Sequence, residues 1–94
     1  MSNLTSIKWV TKQFSELSVE ELYAILRLRS EVFVVEQQCV FLDMDDKDQV
    51  SWHVTGWYQN QLVAYSRLLP AGISYVEASI GRVVTSSLFR RTGI

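Results

Sequence analysis

The order of hydrophobic and polar residues along the chain predicts a strand followed by one long helix. Segment 6–14, SIKWVTKQF, alternates apolar and polar residues, as a strand with one buried face does. Ser18 and Glu21 have the spacing of a capping box, and the apolar residues that follow recur at helical spacing. Together they predict a helix over 19–36, whose last turn, 32–35, is weakened by β-branched and aromatic side chains.

Beyond residue 50 the pattern predicts more strands. Segments 51–58 and 61–69 are rich in β-branched and aromatic residues, and Gln59-Asn60 between them predicts a hairpin turn. Segment 77–86 predicts a further strand, in which Gly81 indicates a bulge or a close approach of another backbone. Strands with short connections and one long helix predict an α+β fold, with a mostly antiparallel sheet of about four strands packed against the helix.

Composition and charge narrow the class of protein. The 94 residues suffice for one domain, 1–94, and a hydrophobic fraction of 48% can supply its core. The net charge of −1 gives no basic excess for a nucleic-acid surface. The chain has a single cysteine and no signal-peptide pattern, and no apolar run approaches the roughly 18 residues of a membrane span. We therefore expect a cytoplasmic protein without nucleic-acid or membrane partners.

Two constellations raise chemical alternatives that the residues do not favour. In the acidic loop 43–48, Asp43 and Asp45 alternate as calcium ligands do, but Lys47 stands at the third ligand position and no glycine follows. A solvated loop without metal is the favoured interpretation. Cys39 and His53 could form a nucleophile and its base, but no third group orients them, so a buried free cysteine is favoured.

The segment 80–94, IGRVVTSSLFRRTGI, runs from a predicted strand into a glycine-containing turn with the start of a helix. Unpaired N–H groups at a helix N-terminus attract anions such as phosphate, and Arg90 and Arg91 add positive charge. Taken alone, the same pattern is also typical of a solvated helix start. Arg67 and Arg82, in the predicted strands, could have a structural role instead of a functional one, with their charged ends reaching water from strand edges.

This segment resembles the Gln/Arg-x-x-Gly-x-Gly/Ala motif of the GNAT superfamily of acetyl-CoA-dependent N-acetyltransferases. Arg90 and Gly93 match the motif, and the chain ends one residue before the second small position. Upstream, LRSEVFVVEQQCV, SWHVTGW, LVAYSRLLP and SIGRVVTS resemble successive blocks of the ElaA branch of these enzymes. The resemblance covers nearly the whole chain and implies the N-terminal half of a GNAT domain.

The resemblance implies a function and a set of site residues. It implies transfer of an acetyl group from acetyl-CoA to a primary amine, without a metal. Main-chain groups of Val83, Val84 and Thr85 would bind the pantetheine arm, with an N–H near Val83 or Val84 polarising the acetyl carbonyl. The pyrophosphate would be held by Arg90, Arg91, Thr92, Gly93 and Ile94. The general base stays open among Glu36, His53 and Glu77.

Two other functions are compatible with the same residues. A non-catalytic half-domain would form a homo-oligomer or pair with a complementing C-terminal half, since half a sheet exposes apolar surface and a strand edge. A phosphate- or nucleotide-binding module without transfer chemistry is the other alternative. For the 94 residues alone we expect incomplete catalysis and weak or absent CoA binding.

Overall fold

A four-stranded sheet with a helix packed on it makes up the computed structural model, which describes residues 7–38, 40, 42–72 and 78–86. The strands are β1 (Lys8–Gln13), β2 (Trp52–Tyr58), β3 (Gln61–Leu69) and β4 (Ser79–Thr85). The α-helix, α1, spans Val19–Arg29, and a π-helical segment, Ser30–Glu36, continues it. Short 3-10 turns occur at Phe14–Glu16 and Asp48–Val50. The predicted α+β class and antiparallel sheet are confirmed.

The sheet is a simple meander in the order β1-β2-β3-β4, and every neighbouring pair is antiparallel. Gln59 and Asn60 join β2 to β3 with φ angles of 49° and 68°. Two successive residues in the left-handed region form the tight turn that matches the twist of a hairpin. The predicted hairpin is confirmed, and β4 is the strand at one edge of the described sheet.

The start of α1 follows from its capping box. The Ser18 Oγ accepts a hydrogen bond of 3.0 Å from the Glu21 N–H, and a Glu21 carboxylate oxygen accepts one of 2.8 Å from the Ser18 N–H. The same carboxylate forms an ion pair of 2.9 Å with Lys12 on β1, which ties the helix start to the sheet. These contacts hold the pKa of Glu21 below its usual value, through the Ser18 N–H first and Lys12 second.

The predicted helix over 19–36 changes geometry at its end. Its first part is α-helical to Arg29, and from Ser30 the chain follows wider π-helical turns. The π-helical turns contain residues 32–35, where the sequence predicted a weakened last turn. π-helical turns are rare, occur mostly as short pieces within helices, and are frequently found at functional sites.

The core lies between α1 and the face of the sheet that it covers. Its buried side chains come from the helix, the π segment and the last two strands: Ile25, Leu28, Val32, Leu62, Tyr65 and Val84. No helix in the described part of the chain is long and apolar enough to cross a bilayer.

A β-bulge interrupts β4 next to Gly81, so of the two alternatives that the glycine indicated, a bulge or a close approach of another backbone, the structure has the bulge. Tyr65 pairs with Val84 and Arg67 with Gly81, so Ser66 alone stands opposite both Arg82 and Val83. The left-handed φ of 52° at the bulge belongs to Arg82, although glycine adopts such angles more easily. The bulge is therefore held by something other than backbone preference.

Candidate functional site

A groove of about 320 Å³ runs between the π segment and β4. Its walls are Val32, Phe33, Glu36 and Gln37 on one side and Val83, Val84 and Thr85 on the other. The fold thus brings together Glu36, a candidate base, and the strand residues predicted to bind the pantetheine arm. They are separated by 47 or more positions in the sequence, and the packing of the helix end on β4 unites them.

Val83 and Val84 have different surroundings although they are neighbours in β4. The Val84 side chain is buried in the core cluster, whereas Val83 is exposed. Since β4 is the edge strand of the described sheet, one side of its main chain faces away from β3. The Ser86 N–H donates to the Val63 carbonyl of β3. By the alternation of an antiparallel ladder, the main-chain groups of Thr85 therefore face away from β3, while Val84 contributes its side chain to the core.

His53, another candidate base, lies in the interior and does not line the groove. Its Nε2–H donates to the Asp48 carbonyl over 2.8 Å, so its Nδ1 accepts the 2.6 Å hydrogen bond from the Tyr65 hydroxyl. Burial lowers the pKa of His53, and burial also raises the pKa of Tyr65 to about 12. Both ring nitrogens of a neutral His53 are therefore engaged inside the protein.

The remaining sequence-derived site residues lie outside the described residues. They are Cys39, Glu77, Arg90, Arg91, Thr92, Gly93 and Ile94. The pyrophosphate-binding turn and the role of Glu77 stay predictions.

Three arginines and three aspartates form a closed ring of alternating charges that was not predicted from the sequence. Each of three arginines forms ion pairs with two aspartates, and each aspartate with two arginines. In order around the ring the residues are Arg29, Asp43, Arg82, Asp45, Arg67 and Asp48. The six contacts range from 2.8 to 3.3 Å, so the ring joins α1, β3 and β4 through one acidic loop.

The prediction of a solvated acidic loop is wrong. Asp43 and Asp48 are buried, and Arg67 and Arg82 direct their guanidinium groups into the loop instead of into water. The two arginines thus have the structural role that the sequence analysis allowed. Their charged ends are paired with aspartates, however, because a charge removed from water needs a countercharge. Among the described residues no group of acidic, histidine or cysteine side chains is arranged to hold a metal.

Electrostatics keep the ring charged. The hydrogen bond from Arg67 holds the pKa of Asp45 far below its usual range. Burial alone would lower the pKa of Arg29, but the hydrogen bond to Asp48 and the charges of Asp48 and Asp43 outweigh it and raise that pKa. The Arg29 guanidinium group also lies over the aromatic side chain of Tyr65, 5.8 Å from the centre of that side chain's ring. The ring of charges is therefore adjacent to a residue of the hydrophobic core.

Sequence reasoning missed the ring because its members are far apart along the chain. The available signal was the placement of Arg29, Arg67 and Arg82 at the end of an apolar helix and inside two apolar strands. Arginines at such positions are buried only with partners, and loop 43–48 holds the densest acidic cluster in the sequence.

Comparison with known proteins assigns a class to this architecture. No protein-family model matches the chain. The structure of an acyl-CoA N-acyltransferase from Pseudomonas aeruginosa superimposes with a TM-score of 0.86 and 45% identity, covering 90% of this chain and 60% of that one. The described fold is that of the GNAT acyltransferases, as the resemblance implied.

Within that class the chain is similar to ElaA. ElaA of Escherichia coli superimposes with a TM-score of 0.84 and 44% identity, over 89% of this chain and 58% of that one. A UPF0039 protein of Synechocystis sp. is 47% identical over 88 residues, which are 93% of this chain and 57% of the relative. The chain thus spans a little under 60% of the length of these relatives.

Proposed function

We propose that this chain supplies the pantetheine-binding strand and a candidate base of an enzyme that transfers an acetyl group from acetyl-CoA to a primary amine. Its similarity to an acyl-CoA N-acyltransferase supports the general class. The observation that carries the proposal is the groove in which the carboxylate-bearing end of the π segment lies beside the outward edge of β4.

The strand edge suits an extended ligand with amide groups. Main-chain N–H and C=O groups of an edge strand can pair with such a ligand as they would with another strand. In the proposal, Val83, Val84 and Thr85 make these contacts with the pantetheine arm. An N–H of Val83 or Val84 then stabilises the negative charge that develops on the thioester oxygen. Arg90, Arg91, Thr92, Gly93 and Ile94 hold the pyrophosphate, a role that rests on the resemblance alone.

The transfer forms an N–C bond and breaks the thioester C–S bond. The amine must first lose a proton, and the departing thiolate must gain one. Glu36 is the proposed acceptor of the first proton, because it lines the groove and a carboxylate within reach of the amine can act as a general base. Glu77 remains the second candidate. His53 is not proposed, because both of its ring nitrogens are held by internal partners.

Amide NMR spectra of the chain during titration with acetyl-CoA test this function, since they detect binding into the millimolar range. The sequence left weak or absent binding open for the 94 residues, and the proposal requires weak binding: chemical-shift changes at residues 83–85 and 90–94 and none in β1. Gly93→Asp should abolish the changes by placing a carboxylate at the phosphates, whereas Ala71→Asp, the same change of charge at an exposed turn, should not. An unaltered response of Gly93→Asp, or no response of the wild-type β4, would overturn the proposal.

A second candidate function, association through β4, is favoured by the exposed side chains of Ile80 and Val83 at the sheet edge. The partner would be a second copy or a complementing polypeptide. Light scattering after gel filtration tests self-association, and Val83→Lys should reduce it. A monomer at all concentrations would remove the second-copy form of this candidate. The cytoplasmic location stays a prediction.

A further inference from the structure

The bulge in β4 has an unusual occupant. Arg82 carries a φ of 52°, an angle that a side chain with a β-carbon disfavours, while the adjacent Gly81 does not carry it. The neighbouring strand offers one residue, Ser66, opposite Arg82 and Val83. Some interaction of the Arg82 side chain must therefore compensate for the backbone angle.

The compensating interactions are visible around the guanidinium group. Arg82 Nε lies 2.9 Å from Asp43 Oδ1, and Nη2 donates to the Asp43 carbonyl over 2.8 Å. Nη2 also reaches Asp45 Oδ2 at 3.3 Å. Two donors of one planar group thus hold both the side chain and the main chain of Asp43, which lysine could not reproduce.

Asp43 is itself anchored. Its other carboxylate oxygen, Oδ2, lies 2.8 Å from Nε of Arg29, at the end of α1. This pair is close enough for an ion pair but lacks hydrogen-bond alignment, whereas Arg29 Nη2 donates to the Asp43 carbonyl over 3.2 Å. Asp43 therefore connects Arg82 in the bulge to Arg29 at the end of α1. The π segment that continues α1 forms the wall of the groove opposite β4.

We infer that Arg82 is a positioning residue, which through Asp43 maintains the bulge in β4 and thereby orients the main chain of Val83 and Val84 in the groove. The bulge gives β4 one residue more than β3 between the pairs of Tyr65 with Val84 and Arg67 with Gly81. In a regular ladder without this extra residue, Arg82 would pair with Arg67, and the residues of β4 before Arg82 would lie on the opposite face of the sheet. The consequence for acyl-CoA rests on the proposed function, whereas the effect on the backbone does not.

Arg82→Gly is the sharpest test, because glycine accepts the left-handed angle and the variant removes only the side-chain contacts. Arg82→Lys keeps the charge without the paired donors, and Arg27→Gln removes an exposed arginine of the α1 surface as a control. Amide NMR spectra and hydrogen exchange report on Val83 and Val84, and titration with acetyl-CoA reports on the ligand.

We expect Arg82→Gly to shift the amide signals of Val83 and Val84, to speed their exchange at least tenfold, and to raise the Kd for acetyl-CoA at least tenfold. Signals of β1 should stay in place and show that the variant is folded. Arg82→Lys should change the same amides less, and Arg27→Gln should change neither readout.

Unchanged Val83 and Val84 amides in Arg82→Gly would overturn the inference. So would unchanged amides in Arg82→Lys if the glycine variant does not fold. Altered amides with an unaltered Kd would overturn the link to the ligand. Absence of any β4 response in the wild type would count against the proposed function, and the amide signals would still decide whether Arg82 maintains the bulge.

Discussion

Replacing Asp48 by asparagine tests whether the ring of charges stabilises the fold. One oxygen of the buried Asp48, Oδ1, lies 2.8 Å from Arg29 Nη1 and 3.0 Å from Arg67 Nη1. Asparagine has nearly the same shape, but its amide carries no charge. Arg29 and Arg67 would then each lose a negatively charged partner. Their side chains are only 0% and 3% exposed, so water could not replace the lost carboxylate.

The expected loss is large for a chain of this size. Removing one partner of a buried ion pair costs about 3–5 kcal/mol, and the isosteric asparagine places this change near the lower end, about 3 kcal/mol. A chain of 94 residues at ordinary stability unfolds with about 5–14 kcal/mol. The variant should therefore lose a fifth to more than half of its stability.

Urea unfolding followed by tryptophan fluorescence measures the loss, because m-values of about 1–3 kcal/mol/M turn it into a fall in midpoint of about 1–3 M. The matched control is Glu31→Gln, which breaks the pair of Arg27 and Glu31 at 3.4 Å, with side chains 72% and 52% exposed. An exposed pair contributes about 0–1 kcal/mol. If Asp48→Asn destabilised the chain no more than this control, the ring would have no special role in stability.

Two further perturbations address other parts of the fold. His53 is the only histidine and has a lowered pKa, so below about pH 6.5 the unfolded chain binds a proton that the folded chain does not. The free energy of unfolding should therefore fall by about 1.4 kcal/mol per pH unit as the pH drops from about 6.5 towards the folded pKa, and a similar slope in His53→Gln would refute this origin. An alanine Cβ at Gly56 would lie 2.7 Å from Trp9 Cζ3, whereas one at Gly81 would have nothing within 4 Å. Gly56→Ala should thus lose about 1–3 kcal/mol and change the tryptophan emission, and Gly81→Ala, measured in the same way, should lose clearly less.

Local interactions were predictable because their determinants are close in sequence. Ser18 and Glu21 are three residues apart, and the capping box formed as expected. The Gln59-Asn60 turn needs only the two residues that occupy it. In both cases the partners meet whatever the rest of the chain does.

The acidic loop shows where such reasoning stops. Whether a loop with the composition of 43–48 is solvated or buried depends on whether positively charged side chains pair with it. Here the partners are Arg29, Arg67 and Arg82, which are distant in the sequence. The same limit applies to β4: Gly81 indicated the bulge, but only the position of Asp43 explains why Arg82 adopts the left-handed angle. The groove, too, depends on the packing of the π segment against β4.

Arg82 belongs to the ring and directly precedes Val83, which lines the groove, so effects on stability can be separated from effects on the groove. Asp48 contacts Arg29 and Arg67, so its neutralisation should lower stability and leave the bulge in place. Asp43 contacts Arg29 and Arg82, so Asp43→Asn should lower stability by a comparable amount and also disturb Val83 and Val84. Since both substitutions remove one charge from a buried aspartate, a difference between them at the β4 amides cannot come from stability alone. Equal amide changes in the two variants would mean that the ring acts only as a whole and that Arg82 has no separate hold on the strand.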